Sequence, residues 1–193
     1  MAGKFENTII VYTSDHGDMI GSHGLNQKGF AMHYDEVLRV PLIIRDPDSK
    51  ANIHIDKLIS LLDIIPTLAD LTGIKITNET HGKSFASYFT NPDAENIRDY
   101  IIAETFKFAD TDLGSGFEGG QGEYIDLSSF NPEKNAYNFS IRARDEKYIF
   151  HWKDTDEFYD LNVDPFENCN LYENLGSSAK SVGEISGNYL GSA

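Results

Sequence analysis

Asn7-Thr-Ile-Ile-Val-Tyr-Thr-Ser-Asp-His-Gly-Asp18 decides how the chain is read. Its first half, through Thr13, is apolar and rich in β-branched residues. Such a run predicts a strand buried on both faces, as in the middle of a parallel sheet. Its second half turns polar where the strand stops. Open α/β sheets carry their ligand loops at the carboxyl ends of strands, so a site is expected from Ser14 onward. The strand lies close to the first residue, and its neighbours are expected from the segments that follow it.

Asp15 and His16 stand side by side at that strand end. Within a strand they would point to opposite faces, but at a turn both converge. A carboxylate oxygen and a neutral imidazole nitrogen suit a divalent ion. Gly17 allows a sharp turn beneath them. An isolated Asp-His-Gly is better explained as a capping Asp with a structural carboxylate–imidazole hydrogen bond, so the tripeptide alone does not make a site. Next comes the glycine-framed loop Gly21-Ser-His-Gly-Leu-Asn-Gln-Lys-Gly29, which carries His23 and Lys28. A lysine is a compact cation able to hold an anionic oxygen. His33, Tyr34, Asp35 and Glu36 precede a second strand and are assigned packing and supporting roles.

Working outward, Val40-Pro-Leu-Ile-Ile-Arg45 predicts that second strand, with Pro41 tolerated at its start. Asp56–Leu71 has apolar residues at 58, 61, 62, 65, 68 and 69, which is helical spacing. Pro66 should kink or restart this helix, Asp63 should cap the part after it, and Gly73 should stop it. Ser84–Phe89 predicts a short second helix and Asp99–Glu104 a strand. Residues 110–135, rich in Gly, Ser, Asp and Asn, predict a long loop or insertion. Asn138–Arg144, Glu146–Trp152 and Glu157–Leu161 read as an antiparallel meander separated by turn residues. The expected organisation is a β/α part over 1–109, the loop 110–135, and a small antiparallel sheet with its tail over 136–193.

Composition narrows the function classes. The chain has 193 residues, with 31 acidic and 16 basic side chains and a net charge of −15. That balance disfavours electrostatic binding to nucleic acid or to anionic lipid. No run approaches the roughly 20 apolar residues of a membrane-spanning helix. A single cysteine, Cys169, excludes an internal disulfide and any multi-cysteine metal site.

The stretch Thr13–Lys28, followed by Tyr34-Asp-Glu-Val-Leu-Arg-Val-Pro-Leu-Ile-Ile44, resembles the sulfatase family of the alkaline-phosphatase superfamily. The resemblance continues in order through Ser60-Leu-Leu-Asp-Ile-Ile-Pro-Thr-Leu-Ala-Asp-Leu-Thr-Gly73 and His81-Gly-Lys-Ser84. It closes with Arg142 to Ile149, Glu157-Phe-Tyr-Asp-Leu161 and Asp164-Pro-Phe-Glu-Asn168. It implies an α/β fold, a partial alkaline-phosphatase-like sheet with helices, followed by a small antiparallel β subdomain. It also implies that Asp15 and His16 match the family's late pair of metal ligands. Lys28 matches the lysine that contacts the sulfate or phosphonate group and the ester oxygen. His23 falls in a recurrent Gly-x-His-Gly loop, with a role behind the ligands or beside the leaving group. The implied cofactor is a divalent ion, Ca2+ first, with Mn2+ or Mg2+ as alternatives. The implied partner is a sulfate-ester small molecule or glycan, and the implied location periplasmic or secreted.

The family's earlier metal-binding carboxylates and its Cys/Ser-x-Pro/Ala-x-Arg nucleophile motif, oxidised to formylglycine, have no counterpart in this sequence. Cys169 has no such context. The chain is therefore expected to be the C-terminal half of a sulfatase, inactive alone, with formylglycine in the missing N-terminal half and an exposed sheet edge open to self-association. Two further readings stand beside it. One is a phosphonate monoester hydrolase or phosphodiesterase-like relative, and the other is a non-catalytic interaction module.

Overall fold

In the computed structural model, which describes residues 4–29, 31–49, 53–107 and 136–175, the first strand, β1 (Ile10–Thr13), pairs antiparallel with β2 (Leu42–Arg45). Val11 faces Ile44 and Tyr12 faces Ile43 in the register. Leu42 and Ile44 pack on the buried ring cluster Phe85, Tyr88 and Phe89, together with Ile55, Ile59, Leu71, Ala94 and Ile97. Alternation sends Tyr12 and Ile43 to the opposite face, where both are exposed. Between the strands lies α1 (Asp35–Leu38), four residues long, whose Val37 is buried.

The expectation of a parallel, doubly buried central strand is corrected here. A parallel pair needs a crossover, usually a helix that packs across the sheet. Among the described residues the connection from β1 to β2 contains only a 3-10 turn, Ser22–Gly24, and the single turn of α1, and it returns the chain antiparallel. Among the described residues β1 pairs with β2 alone, and it leaves Ile10 and Tyr12 uncovered. An apolar β-branched run specifies a strand, whereas pairing direction is set by the connection.

The helix expected over Asp56–Leu71 begins later. Ser60 is extended, and its hydroxyl accepts from Leu62 N at 3.3 Å while Asp63 accepts from Ser60 N at 2.8 Å. This reciprocal cap opens a 3-10 turn, Leu61–Asp63, which runs into α2 (Ile64–Thr72). Pro66 falls in the first turn of α2, where its missing N–H removes no helical bond, so no kink is needed. Gly73 closes α2 at φ 71°, a left-handed position that suits glycine.

Asp63 is not the side-chain cap of α2 but a buried anchor. Its carboxylate also accepts from Lys83 N at 2.7 Å and from the Arg98 guanidinium. Gly82 is required there because a Cβ would lie 2.0 Å from the Leu62 carbonyl oxygen. The short helix expected at Ser84–Phe89 is the 3-10 turn Ala86–Phe89.

The meander is present as β3 (Tyr100–Lys107), β4 (Ala136–Ala143), β5 (Glu146–His151) and β6 (Glu157–Asp160), in the order β3-β4-β5-β6. Its core is aromatic: Tyr137, Phe139 and Tyr148 are buried against Phe106, Phe150, Phe158 and Tyr172. Burial, and then the Asp156 carboxylate at 2.6 Å, push the Tyr148 hydroxyl pKa well up. Lys147 and Glu167, both fully buried, pair at 2.7 Å. His33, also fully buried, lies 3.0 Å from the hydroxyls of Ser140 and Thr105. Burial, helped by His151 and Lys147 and opposed by Glu157, brings its pKa down to about 4.

Two compact units divide the described chain. Of the described residues, one draws on 4–28, 34–49, 53–101 and 142–146, and the other on 29, 31–33, 102–107, 136–141 and 147–175. The loop expected at 110–135 lies outside the described residues. No described helix is long and apolar enough to cross a membrane.

Candidate functional site

The strand end after Thr13 is tied by its own polar groups. Ser14 Oγ donates to the His16 carbonyl at 2.8 Å, and His16 N donates to Asp15 Oδ1 at 3.0 Å. This backbone N–H holds the Asp15 carboxyl below the usual carboxylate range. Gly17 N then donates to Val37 O at 2.7 Å, fastening the turn to α1.

His16 is oriented by the same turn. Its Nδ1 lies 2.7 Å from the Gly17 carbonyl, which can only accept, so Nδ1 carries the hydrogen and Nε2 offers its lone pair. That lone pair meets the Lys28 ammonium, and Nε2 lies 3.4 Å from Asp15 Oδ2. Asp15, His16 and Lys28, picked out by the family resemblance, are thus brought together on an open surface.

The intervening loop is backbone-strained. Ile20 and His23 sit at φ 44° and 51° and Gly21 and Gly24 at 97° and 71°. A β-branched residue there is a genuine outlier, and such strain clusters at functional sites. Met19 is buried beneath the loop, and Gly21 N donates to Leu25 O at 2.7 Å. The α1 segment holds the other side: Ser22 Oγ donates to Glu36 Oε1 at 2.5 Å, and the His23 ring stacks on Tyr34 at 4.0 Å and 13°. His23 Nε2 lies 3.8 Å from Glu36 Oε1.

Sequence reasoning gave Glu36 a supporting role without saying what it supports. Nor did it join Arg142 to Asp35 of α1, with which it pairs at 3.3 Å. No local signal marks that pair, because the two residues are far apart in sequence.

Among the described residues no group of three or more His, Cys, Asp or Glu could hold a metal ion. The pair Asp15–His16 nevertheless fits a divalent ion in donor chemistry: an exposed carboxylate beside an imidazole whose Nε2 carries a lone pair. Two donors leave most of the shell of a six- to eight-coordinate cation to other groups.

The Sulfatase family model matches residues 1–74. N-acetylglucosamine-6-O-sulfatase of Bacteroides thetaiotaomicron is 31% identical over 173 residues, 88% of this chain and 27% of that protein. The chain belongs to the sulfatase family. Solved structures agree with a sulfatase chain of the alkaline-phosphatase-like fold. The phosphonate monoester hydrolase of Agrobacterium radiobacter superposes with a TM-score of 0.71 at 26% identity, over 97% of this chain and 35% of its own. A protein solved with its substrate D-glucosamine-2-N,6-O-disulfate superposes at 0.61 and 28% identity, over 95% of this chain and 33% of its own. This sulfatase chain spans about 29% of the length of the curated relatives it matches.

Proposed function

We propose that Asp15, His16 and Lys28 form part of a sulfuric ester hydrolase site, with Asp15 and His16 as metal ligands and Lys28 as the contact to the sulfate group. The observation that carries this reading is the meeting of the Lys28 ammonium, the His16 Nε2 lone pair and the Asp15 carboxylate on one turn. A divalent ion bound by Asp15 and His16, Ca2+ in the first instance, supplies charge neutralisation at the ester oxygens. Lys28 adds a second positive charge that binds and orients the same anionic group. Ser14 and Gly17 hold the two ligands in place, and α1 backs the turn. These 193 residues contain no Cys/Ser-x-Pro/Ala-x-Arg motif, so the nucleophile of this reading is not among them.

A sulfated sugar is the substrate class best supported, by the relative named for N-acetylglucosamine-6-O-sulfate and the neighbour solved with a glucosamine disulfate. A phosphonate monoester is the second reading, favoured by the superposition on the Agrobacterium hydrolase. Adding 4-nitrophenyl sulfate and Ca2+ to the chain tests the proposal. The Lys28 and His16 resonances should both shift, Lys28→Met should abolish the shift at His16, and no 4-nitrophenol should form. A His16 shift that survives in Lys28→Met, or sustained turnover by this chain, would contradict it.

A further inference from the structure

Two buried polar atoms beside the strained loop lack a hydrogen-bond partner, and they belong to side chains that face each other: His23 Nε2 and Glu36 Oε2. The second carboxylate oxygen, Oε1, takes the Ser22 hydroxyl at 2.5 Å and lies 3.8 Å from His23 Nε2. A separation of 3.8 Å is not a hydrogen bond. Yet an unpartnered buried Nε2 beside a carboxylate with one unpartnered oxygen is costly, and closing its gap to Oε1 by about 1 Å brings the ring and the carboxylate to bonding distance. Hydrogen bonds around reacting groups are often long before substrate binds and tighten afterwards. An ionised carboxylate only accepts, so the bond requires the proton on Nε2.

We propose that Glu36 is a positioning residue: it holds His23 through Nε2–H, fixing the imidazole as the Nε2–H tautomer with Nδ1 as its accepting nitrogen.

The surroundings leave the ring little choice. Tyr34 fixes its plane by stacking, and Ser22 ties the preceding residue to the same carboxylate. His23 itself sits in the left-handed region at φ 51°. The element carrying Glu36 also accepts Gly17 N at Val37 O, so one helical turn sets both the Asp15–His16 corner and the His23 loop. The assignment removes His23 Nε2 from any set of metal ligands and leaves Asp15 and His16 as the pair. In the proposed ester site, on which this part of the inference rests, Nδ1 takes a hydrogen bond from a hydroxyl or a water.

Long-range 1H–15N spectra of the whole chain test the inference without substrate or metal. His23 is assigned by the loss of its signals in His23→Gln. His23 should show one tautomer, protonated at Nε2, with that proton exchanging slowly enough to be seen. Glu36→Gln should at least halve the Nε2–H population, Glu36→Asp should restore it, and Ser22→Ala should leave it in place. A mixed or Nδ1–H pattern in the unsubstituted chain would overturn the inference. So would an unchanged tautomer in folded Glu36→Gln. Should Glu36→Gln fail to fold, the slowly exchanging Nε2 proton of the unsubstituted chain decides, and its absence counts against the inference. Failure of the ester-site reading shows separately, as no anion response at Lys28.

Discussion

Gly17 donates its N–H to the carbonyl of Val37 at 2.7 Å, and its Cα lies so close to α1 that a Cβ would stand 1.9 Å from the Glu36 carbonyl oxygen. The corner that presents Asp15 and His16 therefore depends on a residue without a side chain. Gly17→Ala should cost about 1–3 kcal/mol through forced separation of turn and helix. Urea denaturation measures that loss, and the His16 resonances should shift with it. A variant as stable as the parent would show that the contact is loose.

Asp63 and Arg98 carry a second prediction. The carboxylate is fully buried and accepts from Ser60 N, Lys83 N and Arg98. Asp63→Ala strands three donors and leaves the guanidinium unpaired, which should cost about 3–5 kcal/mol. In a double-mutant cycle with Arg98→Met the two losses should fall short of additivity. Additive losses would place the Asp63 effect in packing alone.

His33 gives a pH dependence whose sign is fixed by its environment. Its pKa is about 4 in the folded chain against an ordinary value of 6.5. Between these values the unfolded chain binds a proton that the folded chain refuses, so stability falls as pH drops from 6.5 to 4. The full effect is about 3 kcal/mol, and it is complete below pH 4. Unfolding midpoints of the parent and His33→Gln at pH 7 and pH 4.5 measure it. The parent should lose more stability than the variant, and equal losses would remove His33 as the cause.

Much of the fold was legible where one local signal sufficed. Gly73 stops α2 because its position demands a left-handed residue, and the alternating runs after Ala136 form the meander because period-two patterning has one solution. Pairing direction was not legible. The run ending at Thr13 has the same composition whether its neighbour is parallel or antiparallel, and the return through α1 decided it. The Asp63 anchor was missed for a similar reason. Asp before Ile64-Ile65-Pro66 reads as a cap, and its partners Lys83 and Arg98 lie in other segments. In the candidate site, Asp15, His16 and Lys28 stood out through the resemblance of the whole Thr13–Lys28 stretch, since residue type alone reads as an Asp-His-Gly turn and a loop lysine. Glu36 did not, because its meaning comes from the buried His23 Nε2 it faces, thirteen residues away in the chain.

Asp15 and His16 are above all proposed as a cation-binding pair. Mn2+ added to the chain should broaden the ring protons of His16 before those of the other five histidines. With only two protein donors the effect should need roughly millimolar ion, and Asp15→Asn should weaken it severalfold. His16 broadening that precedes the others in the parent and is lost in Asp15→Asn is the predicted result. Broadening that spreads evenly over the histidines, or that Asp15→Asn leaves unchanged, would contradict the assignment.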